Sequence, residues 1–502
     1  FLKDPLENRL VNQGVAEVAE PGSDQEIRTL RHELETFVCE GQYARGLERI
    51  LSTYLASLDR EEQPAAWVSG FYGSGKSHLV KMLRFLWTDY RFPDRATARG
   101  LAHLPDDIQA HLRELSIQGK RLGGLHAAGG KLGAGAGGSV RLALLGLLFR
   151  SAGLPEDYAA ARFVLFLKRN GFLDAVRTAV EAQGRSFDRE VQELYVSPAL
   201  AKALLAVHPT FAPSEDAVLG QIAAQFERPG DVSDADMTTA IEEALGAGGK
   251  LPATLIVLDE VQQYIGETST ERAYQVQEVA EACSKRFGSR ILFVGTGQTA
   301  ITGTPQLQKL QARFKLPIEL SDADVDTVVR KIVLAKKPDK EVLLRQRLAE
   351  CSGEISRHLP GTRLAPRPED DEVLVADYPL LPARRRFWEL ALRAIDPTGT
   401  KAELRNQLTN VFEAVLATAG KDLLHVVPAD FLYDQNKTQM VQSGALLREI
   451  QEVIERLDDG SDSGRLKSRL CALCFLIGKL DREAGADSGL RATPDMLADL
   501  LV

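Results

Sequence analysis

The chain has 502 residues, 61 Lys and Arg against 70 Asp and Glu, and a formal net charge of −9 at pH 7. That length accommodates roughly two to four domains with sizeable cores, and the acidic balance excludes a global attraction to nucleic acid or anionic membrane, leaving only local basic patches. Five scattered cysteines are too few for a disulfide framework, and neither a transmembrane-length apolar run nor a signal-peptide pattern is present, so a reducing cytoplasm is expected.

The opening 1–22 is mixed, with a short strand expected within 11–18. It begins with Phe1 rather than Met, as expected of a piece of a longer protein. From Gln25 to Leu58 the apolar residues Leu30, Leu34, Phe37, Leu47, Ile50, Leu51 and Tyr54 recur at helical spacing, predicting two helices. A short buried strand, Ala65 to Ser69, then meets Gly70, Phe71, Tyr72, Gly73, Ser74, Gly75, Lys76 and Ser77, followed by a helical pattern from His78 to Leu86. This is G-x-x-x-x-G-K-[ST] in its required context of strand, glycine turn and helix. Glycines let the backbone wrap a polyphosphate, so that main-chain N–H groups and a helix N-terminus face the anion. Lys76 then reaches the outer phosphates and the Ser77 hydroxyl ligates Mg²⁺. His78 follows on the helix and is counted with Gly70 to Ser77 among the nucleotide-binding residues, packing or hydrogen bonding explaining it better than catalysis.

Beyond that helix, Asp89 to Asp107 reads as loop and Gly119 to Ala127 as a candidate strand. The run Gly123 to Gly138 lacks the Gly-Lys-[Ser/Thr] ending of a second phosphate loop and reads as a flexible loop. Val140 to Gly249 is mainly helical: 140–151, 158–168, 172–183, 187–195, 198–206, 214–226 and 234–245, the last with Ser233 as N-cap. Arg162, Lys168, Arg169 and Arg177 in this stretch read as a solvated face.

Thr254 to Leu258 is an apolar run that reads as a central parallel strand, ending in Asp259 and Glu260 where open α/β sheets bind ligands. After a phosphate loop this is a Walker B pattern: Asp259 holds Mg²⁺ and Glu260 polarises the attacking water. Lys76 and Asp259 lie about 180 residues apart, where one or two βα units need far fewer, so a mostly helical insertion is expected between them. A second buried strand, 290–298, follows a helix over 271–287. Its polar end offers Thr296 and Gln298 for the position that contacts the γ-phosphate or water in AAA+-type ATPases, and the sequence does not choose between them. Arg313-Phe314, before a short strand at 316–320 and a helix over 322–335, resembles the AAA+ region that supplies an arginine finger; an intramolecular salt bridge is the alternative. Lys336 to Asp371 reads as a connection, followed by helices at 383–394, 401–418, 441–457 and 466–480. Arg405 is the candidate sensor arginine of such a helical lid, a solvent-facing role being the alternative. Cys471 and Cys474, inside the last of these helices, read as buried core thiols rather than a metal pair.

The segments 34–38 and 67–83, with Trp67-Val68-Ser69-Gly70-Phe71 before the loop and Ser77-His78 after Lys76, resemble the BrxC/PglY family, large ATPases of bacterial BREX and phage-growth-limitation defence. Leu258-Asp259-Glu260-Val261-Gln262 and the Arg313-Phe314 region fit as well. The resemblance implies an AAA+-like ATPase related to initiator-loaders, working beside a DNA methyltransferase and an alkaline-phosphatase-like protein, with DNA as the ultimate target through the complex. Family members are much longer, so an N-terminal ATPase portion is implied.

The expected fold class is therefore α/β: an AAA+-like P-loop NTPase with a parallel sheet, a large mainly helical insertion and a C-terminal helical lid. Residues 1–95 begin the ATPase core, 96–250 form the insertion, 251–335 complete the core, 336–440 form the lid and 441–502 add further helices. The expected function is ATP hydrolysis with Mg²⁺ by a cytoplasmic homo-oligomer, without a membrane, powering assembly or remodelling of a defence complex. The alternative is a nucleotide-gated scaffold or DNA loader with little turnover.

Overall fold

The computed structural model describes residues 17–58, 60–61, 63–70, 74–132, 139–246, 250–266, 269–321, 325–395, 404–480 and 487–501, with the backbone alone at 325 and 404–406. The sequence-based expectations for the strand within 11–18 and for Phe71, Tyr72 and Gly73 lie outside these residues, as does the Arg405 side chain. The described residues divide into two compact units, one of 17–70 and 75–321 and the other of Ser74 with 325–501.

In the first unit, five strands form one sheet in the order β2-β3-β4-β1-β5. They are β1 (Ala66–Ser69), β2 (Leu125–Lys131), β3 (Ala253–Asp259), β4 (Ile291–Gly297) and β5 (Leu316–Glu319). Every pairing is parallel, so all five C-terminal ends lie along one edge. β1, β3 and β4 are buried at every position, as expected of a parallel sheet covered on both faces. One face is packed by α1 (Asp24–Glu35), α2 (Gly41–Ser57), α3 (Lys76–Thr88) and α4 (Asp106–Leu122), through Leu47, Ile50, Leu83 and Leu112. The other carries α5 (Val140–Ser151), α6 (Asp234–Leu245), α7 (Val261–Ile265) and α8 (Thr270–Phe287), through Leu144, Ile241 and Val276. Ser23 closes a capping box at α1 with Glu26, and Ser139 and Ser233 cap α5 and α6.

Three expectations need correction here. The loop expected over 89–107 ends in a helix that runs from 106 to 122, the strand expected over 119–127 starts only at 125, and the stretch read as a flexible loop from 123 contains that strand, β2, at 125–131. Its Ala-Ala-Gly-Gly sequence has little strand propensity, but the glycines are required by packing. A Cβ on Gly129 would meet Val18 at 2.8 Å, and one on Gly130 would meet Leu147 at 2.5 Å. Strand β2 thus belongs to the sheet, and helices follow it. Those from Tyr158–Arg169 to Glu215–Gln225 share their own core, built on Phe163, Val191, Leu204 and Ile222.

The second unit is helical among its described residues. Helices at Pro382–Ile395, Leu404–Thr418, Phe431–Gln442 and Asp462–Lys479 share a core of Phe387, Trp388, Val415, Leu432 and Leu473. The helix expected over 441–457 is instead two, broken after Gln442 by a turn in which Gly444 has φ +74°, and resumed at Arg448–Leu457. The two-thiol core expectation also fails: Cys471 is half-buried and Cys474 exposed, because the buried stripe of that helix runs through Leu473, Leu476 and Ile477. Among the described residues, no helix is long and apolar enough to cross a membrane.

A buried charge cluster organises the start of this unit. Asp377 is fully buried and accepts from Arg330 at 2.7 Å and from Arg385 at 2.5 Å. Beside it, Lys336 donates to the carbonyls of Leu334 and Ala376, and burial pushes its amine down to about 7. An unfolded lysine titrates near ~10.4, so between these values the unfolded chain binds more protons and stability rises with pH. Below pH 7 both states carry the proton and the cost of the buried charge is fully felt. Urea unfolding of this unit's helices is therefore expected to gain about 1–2 kcal/mol between pH 7 and 9. Lys336→Met is expected to remove that gain; a slope unchanged by the substitution would refute the assignment.

Candidate functional site

The topology points to the C-terminal edge of β1, β3 and β4. The chain leaves β1 towards the β2 edge and leaves β4 past β1 towards β5, so the connections diverge beside β1. Open parallel sheets bind ligands in the crevice at such a divergence. Gly70 follows β1 directly, and α3 starts at Lys76.

Gly75 is the N-cap of α3 and adopts φ +83°, a left-handed conformation natural to glycine. A Cβ there would also lie 1.9 Å from the Tyr43 hydroxyl, so only glycine fits. Ser74 is buried. Lys76, in the first turn of α3, sends Nζ back to the Gly70 carbonyl at 2.6 Å. His78 packs its ring edge-on against Phe37, centroids 5.6 Å apart, and burial holds its imidazole below the ordinary value.

Ser77 and Asp259, 182 positions apart, meet here: Ser77 Oγ donates to Asp259 Oδ1 at 3.2 Å. Thr296 Oγ1 donates to the same oxygen at 2.6 Å and itself accepts the Glu260 N–H at 2.9 Å. The resulting chain ties the start of α3, the end of β3 and the end of β4 to one carboxylate. Asp259 is 1% exposed, and its Oδ2 has no hydrogen-bond partner among the described residues. Burial raises its carboxyl above the usual range, the hydrogen bonds from Thr296 and Ser77 opposing this. A buried carboxylate with one oxygen unsatisfied, beside a serine hydroxyl, is a donor set that fits a hard divalent cation.

Mg²⁺ characteristically takes one or two protein oxygens and completes its shell with water and phosphate. Among the described residues, no group of three or more His, Cys, Asp or Glu is placed to hold a metal. Of the two candidates at the end of β4, the structure brings Thr296 to Asp259, whereas Gln298 is exposed and its backbone N–H is held by Gln262.

Glu260 follows with φ +57°, an uncommon conformation for a non-glycine residue, and N-caps the short helix α7. Its carboxylate meets Lys131 Nζ at 2.9 Å. Lys131 ends β2 and is Asp259's register partner. Sequence reasoning missed Lys131 because it closes the glycine-rich run and Tyr43 because it lies in no recognisable pattern, and it named Gln262 within the motif around Asp259 without its contact to Gln298.

Arg313 lies elsewhere. Its carbonyl accepts from the Ala65 N–H at the opposite, N-terminal end of β1, about 13 Å from the loop by strand rise. Its guanidinium faces Glu281 at 3.7 Å. The backbone of Arg405 lies in the helix Leu404–Thr418 of the second unit. No protein-family model matches the chain.

Burial works against the ionised form of Asp259. Asp259→Asn removes the buried charge and retains an acceptor for Thr296. Without added metal it is expected to melt about 2–3 °C higher, the shift that about 1 kcal/mol produces in a unit of this size. A lower melting temperature would show that the carboxylate is structural.

Proposed function

We propose that this chain is a Mg²⁺-dependent ATPase of the AAA+-like P-loop class. The observation that carries the proposal is the meeting of Ser77 and Asp259 beneath the first turn of a helix that begins with Lys76. The 2-3-4-1-5 parallel sheet supports it by aligning the three relevant strand ends.

In this reading, residues 70–75 and the N-terminus of α3 bind the polyphosphate of ATP through main-chain N–H groups. Lys76 leaves Gly70 to pair with the outer phosphates. Ser77 and Asp259 hold the Mg²⁺, which when bound neutralises charge between the phosphates. Glu260, once clear of Lys131, orients and polarises the attacking water, and Thr296 fixes the geometry of both acids. The resemblance to BrxC/PglY extends the proposal to anti-phage defence: a remodelling ATPase of a BREX- or Pgl-like complex, with methyltransferase and phosphatase-like partners and DNA reached through them. A homo-oligomer enters through Arg313. From the far end of β1 it can act only on a neighbouring subunit's nucleotide, and its contact with Glu281 favours the alternative structural role. A sensor role for Arg405 rests on the resemblance alone.

Lys76→Ala is expected to lose Mg²⁺-dependent binding of a fluorescent ATP analogue. Glu260→Gln is expected to bind normally and lose at least about tenfold in phosphate release, a barrier change of about 1.4 kcal/mol. Wild-type hydrolysis by either variant would refute the reading.

One observation favours the second reading, a nucleotide-gated scaffold with little turnover: Lys131 occupies the carboxylate that must act on water. Both side chains are partly exposed, so the pair is worth at most about 1 kcal/mol, and nucleotide binding can break it. Lys131→Met is then expected to raise basal turnover by up to about fivefold. Turnover that stays negligible in this variant, with nucleotide still bound, would favour the scaffold.

A further inference from the structure

The end of β4 and the two residues after it are stitched to the segment after β3 at two points. The first is the Glu260 N–H on Thr296 Oγ1. The second runs the other way. Gln262, two residues beyond Glu260, points its carboxamide oxygen at the 298–299 backbone, accepting from Gln298 N at 2.7 Å and Thr299 N at 3.0 Å, with Thr299 Oγ1 at 3.4 Å. From a third direction, β1 reaches the same segment: the buried Trp67 donates its Nε1–H to the Thr299 carbonyl at 3.1 Å. Residues 298–299 are thus fastened both to the strand that launches the phosphate loop and to the helix that begins at Glu260. Because Glu260 sits in a left-handed backbone turn, its carboxylate direction follows wherever α7 is held.

We propose that Gln262 is a positioning residue that locks Glu260 to the 298–299 segment, and so sets the aim of the water-polarising carboxylate. The inference rests on the ATPase reading of the site. Gln262 touches none of the reacting atoms; it acts through α7 and Glu260. Its working atom is an acceptor, so a glutamate at this position supplies the same bonds. An asparagine withdraws the acceptor by one methylene, and a leucine removes it. Residues 298 and 299 are exposed, so water can replace the lost acceptor, and the fold should not depend on it. Catalytic geometry is far less forgiving: a misplacement of about 1 Å can cost on the order of a hundredfold in rate.

The test uses the full chain with Gln262→Leu, Gln262→Asn and Gln262→Glu, and Lys76→Ala as the control for the site itself. The measurements are affinity for a fluorescent ATP analogue with Mg²⁺, single-turnover phosphate release and melting temperature. The leucine and asparagine variants are expected to bind within about twofold of wild type and to hydrolyse at least about tenfold more slowly. The glutamate variant is expected to stay within about threefold of wild type in rate, with all melting temperatures close to wild type. If Lys76→Ala abolishes hydrolysis while the asparagine variant hydrolyses at the wild-type rate, the positioning role is overturned and the ATPase reading stands. A glutamate variant as slow as the leucine variant also overturns the role. Hydrolysis indifferent to Lys76→Ala overturns both. Should the leucine variant fail to fold, the asparagine and glutamate pair decides the matter alone.

Discussion

Ionising a carboxylate at the buried end of a central strand is costly, and among the described residues Asp259 has partners for only one of its two oxygens. Hydrogen bonds from Ser77 and Thr296 to that oxygen draw together three segments separated by long stretches of chain. Each arrives by a different route: Ser77 by the glycine turn after β1, Asp259 by the end of β3 and Thr296 by the end of β4. Parallel pairing makes this possible, because it delivers every C-terminal strand end to the same edge. The remaining features of the site, the bent Glu260 backbone and the Lys131 and Gln262 contacts, are arranged around that carboxylate. Its cost is offset if a cation completes its coordination, which is the physical reason for reading it as a ligand.

Much of this edge was legible in the sequence, because its strands are continuous apolar runs and its loop follows a spaced pattern. β3 and β4 fall within a residue or two of where the apolar runs place them, and Ser233 caps its helix as expected. What was not legible has particular causes. β2 hides because Gly129 and Gly130 are there for close packing against Val18 and Leu147, a tertiary demand that local propensity cannot display. Lys131 was lost with it. Tyr43 touches Gly75 across two helices, and the Gln262 carboxamide reaches 36 residues along the chain to Gln298. Such contacts become visible only once the topology is known. The same holds for Thr296 against Gln298: Thr296 lies within β4 and is buried, whereas Gln298 lies past the end of the strand and is exposed.

The helical second unit carries its own electrostatic problem, solved differently. Asp377 is fully buried like Asp259, but two arginines satisfy it, and its neighbour Lys336 relies on backbone carbonyls. The contrast is informative. Asp377 is satisfied by two guanidinium groups, whereas among the described residues Asp259 keeps one oxygen without a partner beside two hydroxyls, and that difference supports the proposed site.

The central claim is that Ser77 and Asp259 share one divalent ion when a nucleoside triphosphate is bound. Mn²⁺ substitutes for Mg²⁺ and can be located by its anomalous scattering in crystals grown with a non-hydrolysable ATP analogue. The account predicts a single nucleotide-dependent Mn²⁺ peak between the Ser77 hydroxyl, the Asp259 carboxylate and the phosphates. Mn²⁺ bound elsewhere with the analogue present, or an analogue bound away from Lys76, would contradict it.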